Sequence, residues 1–233
     1  MTSKLPSTSN LKVHFILSDI DAAQIQAELN FVFQSTEVLL LLRHIGEIKI
    51  HSRNDRDIVL QKTIPNADSI TSLIRSESKK RSERSWLLHA VNIEVPAQVH
   101  DAVQSLSAAE CPEKIKQATV ISLTFAALIQ DDQLMGMEKA RIYCYLPTQV
   151  CAGLPYLVNA DFILNQDRSL LMNNIWNRFL LNAIAYEQFI WLGRLANNPR
   201  WTTSILNLLA LPSNGGYNLL ITKVTFINTD LKF

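Results

Sequence analysis

The segment 154–181, LPYLVNADFILNQDRSLLMNNIWNRFLL, constrains the fold more than any other part of the chain. Its first half, Leu157–Leu164, is an almost continuous apolar run of the kind found in buried strands. A polar elbow, Asn165–Arg168, follows. Apolar residues then recur at positions 171, 175 and 179 and at 176, 180 and 184, which is the spacing of an amphipathic helix. We therefore predict a strand, a tight connection and a long amphipathic helix near 169–195.

The elbow also contains the residue with the clearest functional signal, Arg168. Asp167 or Asn165 is predicted to cap the helix, which places Arg168 in the first helical turn. A cation is disfavoured there because it lies against the positive end of the helix dipole. A phosphate arriving from outside would remove this conflict. The alternative is an ordinary surface arginine that pairs with Asp167, Asp161 or Glu187, and Asn165 would then serve only as a helix cap.

Nine further residues lie on either side of this elbow and form a pattern with Arg168. They are Leu146, Pro147, Gly153, Pro155, Asn159, Asp161, Phe162, Trp176 and Asn177. This pattern resembles the sacsin family of chaperone-like proteins, over roughly residues 11–214. In that family such a segment follows a shortened ATPase domain of the heat-shock type. The same elbow is more distantly similar to the middle domain of the ninety-kilodalton heat-shock chaperones, where an Asp-x-x-Leu-Asn-x-x-Arg stretch supplies an arginine that reaches the γ-phosphate of ATP.

This resemblance implies a non-autonomous coupling segment in the cytoplasm. It would dock on a heat-shock-type ATPase domain of the same or another chain, offer Arg168 and Asn165 to the ATP phosphate, and transmit the nucleotide state to a client protein. ATP and Mg²⁺ would be bound by the associated domain. The alternative is a non-catalytic protein-interaction or scaffold domain, whose binding surface exposed Trp191 or Trp201 would mark.

No autonomous catalytic or cofactor site is predicted for this chain. Its six glycines form neither a Gly-x-Gly motif nor a phosphate loop, and no Asp-x-Gly-x-Gly or Gly-x-Ser-x-Gly motif occurs. The five histidines lack metal-ligand spacing, and His89 is interpreted as a core histidine with satisfied hydrogen bonds. The three cysteines, Cys111, Cys144 and Cys151, indicate free thiols in a reducing compartment, with Cys144 in the core.

Charge and hydropathy bear on two further classes of partner, membranes and nucleic acids. The net charge is +1, and no run of 18 apolar residues occurs, so a membrane span is not predicted. The stretch Ser76–Ser85 is predicted to be an exposed, solvated loop. Its basic residues make nucleic-acid binding a third and weaker alternative, because interleaved glutamates dilute the charge and no aromatic residue is available for stacking. The basic cluster comprises Arg75, Lys79, Lys80, Arg81 and Arg84.

The order of patterns along the chain predicts an α+β fold with a mixed, mostly antiparallel sheet and flanking helices. We divide the chain into a disordered lead (1–10), a junction from the end of an ATPase-type domain (11–64), a sacsin-like domain (65–214) and a divergent tail (215–233). Strands are predicted at 11–17, 47–51, 58–64, 85–95, 118–129, 140–146, 157–164 and 219–227, and further helices at 22–33, 37–43, 97–106 and 201–211.

Overall fold

A sheet of nine strands forms the frame of the residues that the structure describes, which are 37–50, 58–63, 69–77 and 80–209 in a computed structural model. The strands follow the order β1-β2-β3-β4-β5-β9-β7-β8, with β6 paired to β5. Their pairings are antiparallel except that β7 and β9 run parallel. The strands are β1 Glu47–Ile50, β2 Ile58–Lys62, β3 Ile70–Glu77, β4 Lys80–Glu94, β5 Val120–Gln130, β6 Gln133–Met135, β7 Arg141–Cys144, β8 Leu146–Cys151 and β9 Leu157–Asn159.

Four α-helices and one 3₁₀-helix accompany this sheet among the described residues, which confirms the predicted α+β class. None of the helices in these ranges has the length and apolar character needed to cross a lipid bilayer. The α-helices are α1 Glu37–Leu41, α2 Ala97–Gln104, α3 Glu113–Lys116 and α4 Ile175–Ala196, and the 3₁₀-helix is Ile205–Leu208.

The main core lies between α4 and one face of the sheet. In β5, residues 121, 123, 125, 127 and 129 alternate inward, as the period of a strand requires. From α4, Trp176, Leu180 and Ile184 pack against them, each at most 1% exposed, which confirms the predicted apolar stripe. Burying each such side chain contributes about 1.5–3 kcal/mol to stability. The helix therefore lies on the strands that lead to the elbow.

The short helix α1 packs against strands near both ends of the sheet. All five of its residues are buried, and it contacts β2, β3 and β8. Since β8 and β2 lie at opposite ends of the strand order, the sheet curls around this helix. The residue Arg43, just after α1, is thereby brought to the β7–β8 end of the sheet.

The basic stretch departs from prediction in its secondary structure, because most of Ser76–Ser85 lies in strands and not in a loop, although residues 80–84 are exposed as predicted. In the described part of this stretch, β3 and β4 pair in register from Ile70 opposite Leu87 to Glu77 opposite Lys80. At the end of this register Glu77 lies opposite Lys80, and a cross-strand pair of opposite charges stabilises a sheet. Pairing with a neighbouring strand therefore overrides the low-complexity composition.

Other element boundaries also differ from the sequence expectations. The predicted turn at 131–136 is limited to Asp131 and Asp132, whose φ of 51° and 57° suit a tight hairpin, and β6 follows directly. The predicted strand at 157–164 ends at Asn159. No strand was expected at β3 or β8, and β8 contains Pro147, which a strand at the edge of a sheet tolerates.

Several predicted segments lie outside the described residues: the lead (1–10), the strand at 11–17, the helix at 22–33, and the tail (215–233) with its strand at 219–227. The division into a junction segment and a sacsin-like domain stays a prediction.

Candidate functional site

Arg168 lies at the tip of a short loop, and its predicted place in the first turn of the long helix is wrong. Helix α4 begins at Ile175, where the Asn174 side chain accepts a hydrogen bond of 2.8 Å from the backbone N–H of Asn177. Neither Asp167 nor Asn165 is the cap. The electrostatic conflict expected between Arg168 and the helix dipole is therefore absent.

We call residues 164–171 the arginine loop. An antiparallel bridge between Leu164 and Leu171 closes its base. The Asn165 side chain accepts a hydrogen bond of 2.9 Å from the backbone N–H of Leu170, so Asn165 shapes the elbow. The Asp167 carboxylate accepts a bond of 2.9 Å from the backbone N–H of Ser169, which explains why neither polar side chain is available to cap α4. A hydrogen bond of 2.6 Å from the Ser169 hydroxyl, together with the one from the Ser169 backbone N–H, lowers the pKa of Asp167.

The loop holds Arg168 in a conformation that is costly for a residue with a side chain. Its φ is 60°, in the left-handed region, where a non-glycine residue costs about 1–2 kcal/mol. The side chain is exposed. In the part of the chain that the structure describes, Arg168 forms no ion pair with Asp167, Asp161 or Glu187. A strained, exposed and unpaired arginine is a feature more typical of function than of stability.

Other charged groups meet beside the loop, and we call Arg43, Lys114, Tyr145, Asp161 and Arg168 the cationic surface. Lys114 Nζ lies 3.4 Å from Asp161 Oδ2 and 5.5 Å from the centroid of the Tyr145 ring. The guanidinium carbon of Arg43 lies 5.9 Å from the same centroid. Two cations, Lys114 and Arg43, therefore lie at one aromatic ring, and one carboxylate pairs with Lys114.

The buried Cys144 thiol lies behind this surface and donates a hydrogen bond to the Phe162 carbonyl. Burial raises the pKa of the Cys144 thiol, while the charges of Arg168 and Lys114 act in the opposite direction. The Asp161 carboxylate raises the pKa of Lys114, and burial followed by the same carboxylate raises the pKa of Tyr145.

Two family-pattern residues hold Tyr145 and Asp161 in place. Tyr145 has a φ of 63°, and its backbone N–H donates a hydrogen bond of 2.8 Å to the side chain of Asn159, which is 3% exposed. Asp161 lies just beyond β9 and not inside an apolar strand as predicted. Its carbonyl accepts a bond of 2.8 Å from Trp176 Nε1, and its carboxylate pairs with Lys114 and not with Arg168.

Asn177 ties down the chain on both sides of the arginine loop. Its side chain is 2% exposed, accepts a bond of 2.9 Å from the N–H of Ile163, and donates to the carbonyls of Ile163 (2.6 Å) and Met172 (2.7 Å). This arrangement agrees with the expectation that Asn177 fixes loop backbone. Together with the fully buried Trp176, it anchors the loop to α4.

The remaining pattern residues are structural. Gly153 adopts a φ of 72°, which glycine adopts without strain. The Pro155 carbonyl accepts a bond of 2.9 Å from the N–H of Met137. Phe162 is 4% exposed in the core, whereas Leu146 is 43% exposed on the edge strand β8 beside Pro147.

Sequence reasoning missed three members of the cationic surface: Arg43, Lys114 and Tyr145. No motif contains them, and they come from the end of α1, from α3 and from the β7–β8 connection. The two tryptophans expected to mark an exposed interaction surface, Trp191 and Trp201, are each only 2% exposed, so that expectation is wrong.

The basic cluster and His89 also differ from expectation. Arg75 and Arg84 are engaged in ion pairs of 2.9 Å and 2.8 Å with Glu77 and Glu37. His89 stacks at 5.9 Å on Trp191, but its Nε2 is buried without a hydrogen-bond partner, so the satisfied core histidine is not observed. Burial, with a smaller effect of the nearby Arg194 charge, lowers the pKa of His89.

Among the described residues, no group of His, Cys, Asp and Glu could hold a metal ion, and all three cysteines are free. Cys144 is buried in β7, as predicted. No family model, curated protein or solved structure matches the chain. The cationic surface is therefore interpreted from its own geometry.

Proposed function

We propose that this chain is a coupling segment of a sacsin-like, chaperone-type ATPase in the cytoplasm. It docks on a heat-shock-type ATPase domain and presents Arg168 to the phosphates of ATP held there with Mg²⁺. The nucleotide state then reaches a client protein through the body that carries the loop. The observation that carries the proposal is Arg168 itself, which is exposed, unpaired among the described residues and held at a φ of 60°.

Physical chemistry favours an anion as the target of this side chain. A guanidinium offers a planar fork of donors that matches phosphate oxygens, and it keeps its charge at any physiological pH. An arginine delivered from a second domain stabilises the charge that develops on the transferred phosphoryl group. Because delivery requires docking, hydrolysis becomes dependent on closure of the two domains.

The anchoring of the loop supports this role. Asn177 and Trp176 connect the arginine loop to α4, which is packed into the core. A support of this kind holds the backbone on both sides of the loop that carries Arg168, and positioned charge is more effective in catalysis than mobile charge. Movement of α4 and movement of Arg168 are therefore coupled.

The experiment is an ATPase assay in which the chain is added to a heat-shock-type ATPase domain from the same organism. The intact chain should accelerate turnover, and Arg168→Ala should reduce the stimulated rate on the order of 100-fold. Arg178→Ala, which removes an exposed arginine from the first turns of α4, is the matched control and should leave the rate unchanged. Equal rates for the wild type and Arg168→Ala would refute the proposal.

An interaction or scaffold domain remains the second candidate, and a specific surface favours it. Tyr186 and Phe189 on α4 are 67% and 69% exposed, although large aromatic side chains are usually covered. Here the chain would slow aggregation of a heat-unfolded reporter enzyme, measured by light scattering. Phe189→Ser should abolish that protection and Arg168→Ala should not, whereas protection that survives Phe189→Ser excludes this surface.

A further inference from the structure

The hairpin of β3 and β4 extends past the end of the strand that flanks β4 on its other side. Strand β4 pairs with β3 as far as Lys80, whereas its pairing with β5 ends at Ser85 opposite Ile129. The chain turns back into β6 after Gln130. In the part of the chain that the structure describes, residues 80–84 therefore have a neighbouring strand on one side only, and we call their other side the open edge.

The backbone groups that face the open edge follow from the register of β3 and β4, which is unbroken to Lys80. The Leu88 N–H donates a hydrogen bond of 2.9 Å to the carbonyl of Ser69, the residue before β3. In an antiparallel pair this direction alternates along a strand, so residues 86, 84, 82 and 80 also point toward β3. The N–H and C=O groups of Arg81 and Glu83 point toward the open edge. Among the described residues no strand lies there to bond these four groups.

The side chains along the open edge are exposed and carry an excess of positive charge. All five residues from Lys80 to Arg84 are exposed, and they comprise three cations and the carboxylate of Glu83. Arg84 is paired with Glu37 at 2.8 Å. Within the described residues Lys80 and Arg81 form no ion pair, so both are available to a carboxylate from outside.

Charge decides which strand an unpaired edge accepts. Cationic side chains along an edge oppose its association with a second cationic edge, and they favour a strand that carries carboxylates. Because Lys80 and Arg84 are four residues apart, they lie on the same face of β4. Carboxylates at alternate positions of an added strand match this spacing.

We propose that the open edge of β4 binds an extended acidic peptide, which joins the sheet as an additional strand. Arg81 and Glu83 form the backbone hydrogen bonds to it, and the side chains of Lys80, Arg81 and Arg84 select for carboxylates. The Glu83 carboxylate disfavours an acidic residue at the position that faces it. Arg168 takes no part in this interaction, so the inference goes beyond the proposed coupling function and is tested independently of it.

The test is a fluorescence-anisotropy titration with the full chain at low ionic strength, where charge screening is weak. The probe is a labelled peptide in which glutamate and threonine alternate over about nine residues, a usual length for a strand. Replacing its glutamates with glutamine should weaken binding about tenfold or more. Lys80→Ala and Arg81→Ala should each weaken it about threefold, as expected for one exposed ion pair. Arg178→Ala, which removes an exposed cation from α4, is the matched control and should leave the affinity unchanged.

Glu83→Pro and Glu83→Ala form a matched pair that separates strand addition from simple attraction of charge. Both variants remove the carboxylate, but only proline removes the N–H that faces the open edge. Proline is tolerated in an edge strand where that N–H is not bonded within the sheet. Glu83→Ala should bind the acidic peptide at least as tightly as the wild type, and Glu83→Pro should bind it about tenfold more weakly than Glu83→Ala.

Hydrogen exchange of the backbone amides is a second measurement, and it needs no variant. A saturating amount of the acidic peptide should slow exchange at Arg81 and Glu83, and should change Ser82 and Arg84 little because they already bond to β3. Equal affinities of Glu83→Pro and Glu83→Ala, or unaltered exchange at Arg81 and Glu83, would overturn the inference. Equal binding of the glutamine peptide would overturn it too, as would tighter binding of a single-stranded oligonucleotide, or dimerisation of the chain that excludes the peptide.

Discussion

Removal of the Asn177 side chain should destabilise the protein far more than the loss of an ordinary polar residue. The side chain is 2% exposed and forms three hydrogen bonds to the backbone of Ile163 and Met172. A buried hydrogen bond contributes about 0.5–1.5 kcal/mol, and a buried group left without a partner costs about 1–3 kcal/mol. Asn177→Ala should therefore lower the free energy of unfolding by about 3 kcal/mol.

Urea denaturation followed by tryptophan fluorescence measures this loss. With a urea dependence of about 2 kcal/mol per M, the midpoint should fall by about 1.5 M. Asn182→Ala is the matched control, because Asn182 is half-buried on the same helix, and its midpoint should change by less than about 0.3 M. Asn177→Asp should be at least as destabilising as the alanine variant, since a carboxylate cannot donate to the two carbonyls.

A loss below about 1 kcal/mol in Asn177→Ala, or a loss equal to that of Asn182→Ala, would refute the reasoning. It would mean that the chain on either side of the arginine loop is held by other contacts. The mechanical connection between α4 and Arg168 would then have no basis.

Three further predictions concern stability and use the same urea titration. Gly136→Ala should lower the free energy of unfolding by about 1–3 kcal/mol, because the added Cβ would lie 2.3 Å from the carbonyl oxygen of Asn207. Gly193→Ala should raise it by about 0.5–1 kcal/mol, because the added Cβ meets nothing within 4 Å and alanine favours the helix more than glycine does. Because the pKa of His89 is lowered in the folded protein, the unfolded chain binds this proton first as the pH falls through about 6.5. The contribution of His89 to stability is therefore full above that pH and declines below it. His89→Phe should reduce the difference between the urea midpoints at pH 7.5 and pH 5.5, and an unchanged difference contradicts this. Arg168→Gly should keep or raise stability by up to about 1 kcal/mol, because glycine adopts a φ of 60° without strain. A clear loss of stability would show that the guanidinium supports the fold.

The candidate site shows how far a local pattern can predict function. The residues of the arginine loop are consecutive, so the elbow and its exposed arginine could be anticipated from the chain alone. The start of the helix could not, because five residues between 165 and 174 are of types that can serve as a cap: Asn165, Asp167, Ser169, Asn173 and Asn174. In the structure Asp167 and Asn165 bond within the loop, and Asn174 accepts from the helix.

By itself, the sequence determined the α+β class, the helix stripe that contains Trp176, Leu180 and Ile184, and the inward alternation of β5. These features follow from periodic burial, which depends on neighbours a few residues apart. Only the tertiary structure decided that Lys114 would meet Asp161 and that the basic stretch would pair as strands. These contacts between residues distant in sequence depend on the order of strands in the sheet and on its curl, which brings α1 to the β8 end of the sheet. No short-range pattern contains that information.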